Sequence, residues 1–296
     1  MSIETRINRR IFAAVAVLAT TAPALAKAPR PLDLSAAVAA AEAATGGRVG
    51  LAVHDTATGR RFSHRGGERF PMASTFKMLL AAAILERVDR GADRLDRAIP
   101  IARTDIVSNS PVSEKHVGGS ASVDELSEAT VIYSDNTAAN LLLPAVGGPA
   151  GFTAFMQRIG DSTTRLDRYE IMMSEATPGD PRDTTSPDAV AASWERLLLG
   201  NILSPASRRR LTDWLIANTT GDTRLRAGLP KTWRVGDKTG TGGHGSVNDI
   251  AIVWPTRAAP GPVIIASFIN GGTAASEILY KAHADLARAV AVTIDP

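Results

Sequence analysis

Along this chain the apolar residues change their spacing several times, and each change marks an element. Residues 34–44 repeat on a helical period, with Asp33 near the start and Gly46-Gly47 as a stop. Val49, Leu51 and Val53 then alternate with small or polar residues, Thr58-Gly59 makes a turn, and residues 60–64 return as the second strand of a hairpin. From Ser74 to about Gly200 the pattern is helical. It begins with residues 76–85, apolar almost all round, which predicts a buried central helix. Ser122 with Glu125 has the spacing of a capping box, Pro149 suits the first turn of a helix ending near Gly160, and Ser186-Pro187 opens another. Residues 161–183 break the pattern with polar, Pro and Gly residues, a length uncommon for a connection without a function. Strand patterns return at 234–238, 250–254 and 263–269, before a last helix over 274–292.

Both ends of the chain thus supply strands and terminal helices, and the middle supplies helices. Short turns between consecutive strands favour an antiparallel sheet, so the expected fold is α+β. Residues 27–70 and 217–296 are expected to form a sheet domain flanked by helices, and residues 71–216 a helical domain that includes the 161–183 loop.

Composition narrows the classes. With 296 residues, 44% hydrophobic and 21% charged, the chain can bury a sizeable core and is not a disordered protein. Residues 1–26 stand apart: Arg6, Arg9 and Arg10 precede an apolar run over 11–19, and Ala24-Leu25-Ala26 fits a cleavage site. The run is shorter than the roughly 20 residues of a spanning helix, so it reads as an export signal cleaved after Ala26, sending the protein to the periplasm or the medium. Asn8-Arg9-Arg10-Ile11-Phe12 resembles the twin-arginine motif, but any signal carries positive charge here, and the route stays open.

Cleavage removes three Arg and one Glu, taking 33 basic and 30 acidic residues to 30 and 29. A nearly neutral mature chain gives no support for nucleic acid or an acidic membrane as partner. With no Cys there is no disulfide, thiolate metal site or catalytic thiol. His54, His64, His116, His244 and His283 show no close ligand spacing, so neither a metal nor another cofactor is expected.

The candidate chemistry starts at Ser74 and Lys77. A serine hydroxyl is a poor nucleophile until a base takes its proton, and a lysine three residues on lies on the same helix face. Lys77 also falls inside the apolar run, where an ammonium needs partners or a lowered pKa, as a base or proton shuttle would. Ser134-Asp135-Asn136 falls at a break between two helical stretches, where a helix cap is its ordinary role. Lys238-Thr239-Gly240 ends a strand and leads into glycine-rich 241–245, which a plain turn would also explain. Each motif alone is ambiguous.

Taken in order, the three resemble the signature set of the class A serine β-lactamases. Arg69-Phe70-Pro71-Met72, Ser110-Pro111-Val112, Arg182-Asp183-Thr184-Thr185 and the segments 136–143 and 248–255 resemble further family segments, so the likeness covers nearly all of the mature chain. The resemblance implies a sheet domain and a helical domain with the active site between them. It makes Ser74 the nucleophile, its oxyanion held by backbone N–H groups of Ser74 and Thr241. Ser134 would relay a proton to the lactam nitrogen, and Lys77 and Glu170 are both candidates for the acylation base. Glu170, in Leu166-Asp167-Arg168-Tyr169-Glu170, fits the carboxylate that drives deacylation. Asn136 would meet the substrate's amide side chain, and Lys238 with Thr239 its carboxylate, aided by Arg224. Arg168 and Asp183 would pair across the loop's neck. Substrates would be small β-lactams, penicillins and cephalosporins, and the family expectation is a monomer.

This chain also departs from the family pattern. Ser174 stands where many members have an asparagine that helps hold the deacylation water, and Ile171 replaces a frequent proline after Glu170, where a cis bond is still expected. Asn109 lies where an aromatic wall is common. Thr241 with Arg224 is similar to carbapenem-hydrolysing relatives, whereas Ala73 and Gly242 occupy the positions of their disulfide. The competing readings are a penicillin-binding peptidase whose acyl-enzyme persists, and an exported binding protein that keeps the fold without catalysis.

Overall fold

The structure, a computed structural model, describes residues 31–256 and 261–295; the expected signal at 1–26 lies outside them. In chain order α1 (Ser35–Thr45) leads into β1 (Arg48–Asp55) and β2 (Arg61–His64), then short β3 (Phe70–Pro71) and α2 (Phe76–Asp89). Next come β4 (Ala98–Pro100), β5 (Ser120–Ser122), α3 (Val123–Ile132), α4 (Asn136–Leu142) and α5 (Gly148–Arg158). The 161–183 loop is followed by β6 (Thr184–Thr185), α6 (Pro187–Leu198), α7 (Pro205–Ile216) and one-turn α8 (Leu225–Gly228). Strands β7 (Arg234–Gly242), β8 (Ser246–Trp254) and β9 (Val263–Asn270) precede the last helix, α9 (Ser276–Ile294). The fold is α+β.

Five strands make one antiparallel sheet in the order β2-β1-β9-β8-β7, so the two ends of the chain meet where β1 pairs with β9, Leu51 opposite Ser267. Successive side chains point to opposite faces. Ala52, Ile250, Ile252, Ile264, Ala266 and Phe268 join the core shared with the middle helices, whereas Val49, Leu51, Val53, Ala251, Val253 and Ile265 pack with the terminal helices. With both faces covered, the inner strands read as nearly unbroken apolar runs. On the helical side α2 is central: all ten residues from Phe76 to Leu85 are buried, Lys77 among them.

Local chemistry sets the element ends. Ser122 Oγ accepts from the Glu125 N–H at 3.1 Å while Glu125 Oε2 accepts from the Ser122 N–H at 2.7 Å, the reciprocal capping box. Asp135 caps α4 by accepting from the Ala138 N–H at 2.8 Å.

The structure corrects the sequence reading in two places. The stretch from Ser74 to Gly200 is not purely helical, because β4 and β5 pair within it; three residues each is too short to show a period. Lys238-Thr239-Gly240 does not end a strand but lies inside β7, since β8 begins at Ser246 and pairs with it as far as Gly242. The polar start of β8 hid this extension: Asn248 is buried because its Nδ2 donates to Pro71 O (2.8 Å) and Met72 O (3.1 Å), where an apolar side chain would be useless.

Candidate active site

Six pieces of chain border a cleft of about 370 Å³: the turn before α2, residues 108–109, the break between α3 and α4, the 161–183 loop, residues 220 and 224 ahead of α8, and edge strand β7. Ser74, Ser134, Asn136, Glu170, Ser174, Arg224, Thr239 and Thr241 line it. Lys77 and Lys238 lie fully buried behind them.

Ser74 sits in the single 3-10 turn Ala73–Thr75, just ahead of α2. Strand β7 presses close against that turn. A Cβ on Gly240 would stand 2.7 Å from Met72 O and 3.1 Å from the Thr75 methyl, so only glycine lets the strand approach.

The centre of the site is a buried triangle. Lys77 Nζ lies 3.0 Å from Ser74 Oγ and 3.1 Å from Glu170 Oε1, and Ser74 Oγ donates to the same Glu170 oxygen at 3.3 Å. Nζ also donates to Ser134 O at 2.8 Å and to Asn136 Oδ1, with Ser134 Oγ at 3.4 Å. An ammonium has three hydrogens and here meets five acceptors; the two carbonyl oxygens hold Nζ in place, and Ser74 Oγ, Glu170 and Ser134 Oγ are close enough to exchange a proton with it. Burial pushes the Lys77 pKa down, and the Glu170 carboxylate opposes that shift.

Lys238 reaches the same hydroxyl from the sheet side, donating to Ser134 Oγ at 3.1 Å and Thr239 O at 2.9 Å. Burial, then repulsion from Lys77, lowers its pKa to about 7. Beside it Thr239 Oγ1 and Thr220 Oγ1 are 2.5 Å apart. Arg224, only 5% exposed, is largely committed to the protein. Its Nη1 donates to Gly240 O (2.9 Å) and Asn248 O (2.7 Å), its Nη2 to Thr241 Oγ1 (2.7 Å), and its plane lies 4.6 Å from the Tyr280 ring centroid. Because Thr241 Oγ1 accepts from Arg224, its own hydrogen remains available to donate.

Glu170 is held by α4 as well as by its own loop. Asn140 clamps its backbone, accepting from the Glu170 N–H at 2.9 Å and donating to its carbonyl at 2.8 Å. Ser174 Oγ lies 3.1 Å from Glu170 Oε2, and the Glu170-Ile171 peptide is cis, as expected. At the neck, Arg168 Nε donates to Asp183 Oδ2 at 2.6 Å, and Asp183 Oδ1 accepts the N–H groups of Asp167 (2.7 Å) and Arg168 (3.0 Å). Asp183 is fully buried, so Asp183→Ala strands three donors. That variant should lose about 2–4 kcal/mol in urea unfolding and slow deacylation more than acylation. A midpoint within error of the parent would show that the neck does not organise the loop.

The ten cleft and buried residues expected from the sequence therefore converge, with Arg168 and Asp183 at the neck. Asn109 lies at the rim, its Nδ2 donating to Ser134 O at 3.0 Å. Sequence reasoning missed Asn140, Asn248 and Thr220. Only Asn140 carried a signal: it stands four residues after Asn136, one turn along the same helix face. Ala73 Cβ lies 3.6 Å from where a Gly242 Cβ would be, within the span of a disulfide that this chain lacks.

Known proteins share the sequence and the fold of this chain. Residues 33–294 match the family model described as the β-lactamase enzyme family. Over 254 residues the chain is 48% identical to β-lactamase L2 of Stenotrophomonas maltophilia, covering 85% of this chain and 84% of that one. It is 49% identical over 246 residues to the carbapenem-hydrolyzing β-lactamase KPC of Klebsiella oxytoca, covering 82% and 83%. Among solved structures, a class A β-lactamase of the last common ancestor of Gram-negative bacteria superposes with a TM-score of 0.86 at 57% identity, covering 88% of this chain and 99% of that one. A β-lactamase from Xanthomonas campestris also gives 0.86, at 50% identity, covering 88% and 97%. With matches of this length and identity across the fold that builds the cleft, the chain belongs to the class A β-lactamases and is a serine β-lactamase.

Proposed function

We propose that the protein hydrolyses penicillins and cephalosporins through an acyl-enzyme on Ser74, with Glu170 driving its release. The observation that carries this is the meeting of Lys77 Nζ and Glu170 Oε1 at Ser74 Oγ, at 3.0 and 3.3 Å in a buried site. Either base can take the serine proton as Oγ attacks the lactam carbonyl. The oxyanion would be met by the backbone N–H groups of Ser74 and Thr241, each such donor lowering the barrier by about 3–4 kcal/mol. The amide C–N bond then breaks, and Ser134, fed by Lys77 and Lys238, protonates the departing nitrogen. In the second half Glu170 deprotonates a water that attacks the ester, with the Ser174 hydroxyl beside it as a further hydrogen-bonding partner; the ester C–O bond then breaks and the proton passes to the departing Ser74 Oγ. The short reach of Ser174 leaves that water less constrained than a longer amide would.

Substrate recognition follows from charge. Lys238, Thr239, the Thr241 hydroxyl, whose hydrogen Arg224 leaves available, and Arg224 itself suit the lactam carboxylate. The remaining amide hydrogen of Asn136, whose Oδ1 is held by Lys77 and whose Nδ2 donates to Ser108 O at 2.8 Å, suits the acylamino carbonyl. We further propose export with cleavage after Ala26, action as a monomer in the periplasm or medium, and the two-part division of residues 27–70 with 217–296 against 71–216.

Steady-state turnover of a penicillin and a cephalosporin by purified protein tests the reading. An adduct that persists in the wild type would favour the peptidase instead. A pH profile adds a sharper test. A Lys238 pKa of about 7 means that the cation is lost as pH rises through 7 in the free enzyme, while an anionic substrate holds the proton on. KM for a penicillin should therefore rise between pH 6.5 and 8.5 with kcat less affected. Lys238→Arg, charged throughout, should flatten the rise. A KM independent of pH in the parent would reject the assignment.

A further inference from the structure

A second cavity lies on the far side of the helical domain, between the C-terminal half of α2 and α5, with a volume of about 230 Å³. Its apolar lining includes Val146 and Phe155, and its polar lining is Arg87, Arg90 and Arg158 against one carboxylate, Glu86. Three guanidinium groups facing one acid leave the cavity strongly positive. The pairing that exists is weak: Arg90 Nη1 and Arg158 Nη2 share Glu86 at 3.2 and 3.4 Å, and the two arginine side chains are 65% and 52% exposed. Arg87 has no carboxylate within ion-pair distance among the described residues. Its Nη2 donates to Ala92 O at 3.1 Å, but its Nε is buried and has no hydrogen-bond partner among them. A guanidinium carries five N–H donors, and the bond to Ala92 O uses one, so Arg87 keeps donors for an acceptor in the cavity it lines.

We propose that this cavity is a binding site for a small organic anion with an apolar body, such as an aryl phosphate or aryl carboxylate. The anionic head would accept from Arg87 and draw Arg90 and Arg158 away from Glu86, and the body would lie against Phe155 and Val146. A guanidinium fork suits the planar or tetrahedral oxygens of such a head. The volume suits one ring with its head group. The site is remote from the chemistry: Arg87 is ten residues along α2 from Lys77, about 15 Å at 1.5 Å per residue. It also rests on different residues from the assignment of the reaction, so one can fail without the other.

Phenyl phosphate is a suitable probe, with inorganic phosphate and phenol as the two halves. Titration followed by amide NMR shifts should saturate, with the largest movements in Ala83, Glu86, Gly151 and Phe155 rather than around Ser74 and Thr241. Arg87→Gln and Arg158→Gln should each weaken binding about tenfold, the loss expected for one charge-assisted hydrogen bond, while penicillin turnover is unchanged. Phosphate and phenol alone should bind more weakly than the joined molecule. Shifts confined to the Ser74 cleft, no saturation, or an affinity equal to the parent's in either arginine variant would overturn the proposal. Equal binding by inorganic phosphate would overturn the claim of an apolar body.

Discussion

Glu170→Ala is expected to trap the enzyme half-way through its cycle. Mixed with a penicillin and examined by intact-protein mass, the variant should gain the mass of the whole penicillin and keep it, whereas the parent should show only a transient adduct. Ser74→Ala should show none. The physical reason is the asymmetry of the site. Acylation has two groups within reach of the serine proton, Lys77 at 3.0 Å and Glu170 at 3.3 Å, so removing one leaves the other. Deacylation needs a base facing a water at the ester, and among the described residues Glu170, with Ser174 beside Oε2, is the one carboxylate that lines that space. A positioned general base contributes roughly 10²–10⁴ in rate, so kcat should fall by about that much through loss of the second step. Losing the nucleophile costs more, on the order of 10⁶ by analogy with other serine hydrolases. The mechanism fails if Glu170→Ala turns over at the parent rate, or if Ser74→Ala carries a stoichiometric adduct.

The legible part of this protein was the part written in spacing. The i, i+3 pair of Ser74 and Lys77, the apolar run that buries them, and the capping box at Ser122 depend on residues close in sequence, where period and local hydrogen bonding decide the outcome. The three motifs were legible as a set because their order is itself information. What stayed hidden depends on pairing across the chain. Asn248 reads as a polar interruption of a strand until Pro71 and Met72 are known to lie opposite its amide, 177 and 176 residues away. Arg224 reads as a cation free to meet a substrate; three of its hydrogens are in fact held by Gly240, Asn248 and Thr241. Its influence on a substrate therefore runs partly through the hydroxyl of Thr241. Asp237 and Asp249 were not singled out at all. They are buried near one another on β7 and β8, where burial raises the pKa of both, and Arg226 and Asn218 answer only Asp237.

Lys77→Met separates the two candidate bases and also tests how the buried pair is held. If Lys77 takes the serine proton, or carries it to Ser134, adduct formation should slow by about 10²–10⁴ in stopped-flow acylation. If the adduct instead forms at the parent rate, Glu170 alone suffices as the acylation base and Lys77 is reduced to a structural cation. The substitution nearly conserves volume but leaves Glu170, with a side chain 1% exposed, in a site that has lost its ammonium. A buried carboxylate is then left without its cation, so the variant should be less stable than the parent by up to the roughly 3–5 kcal/mol typical of a broken buried pair, less whatever is regained from no longer burying an ammonium. Urea unfolding of both proteins decides it: a midpoint equal to the parent's would mean that the Lys77–Glu170 pair does not hold the site together.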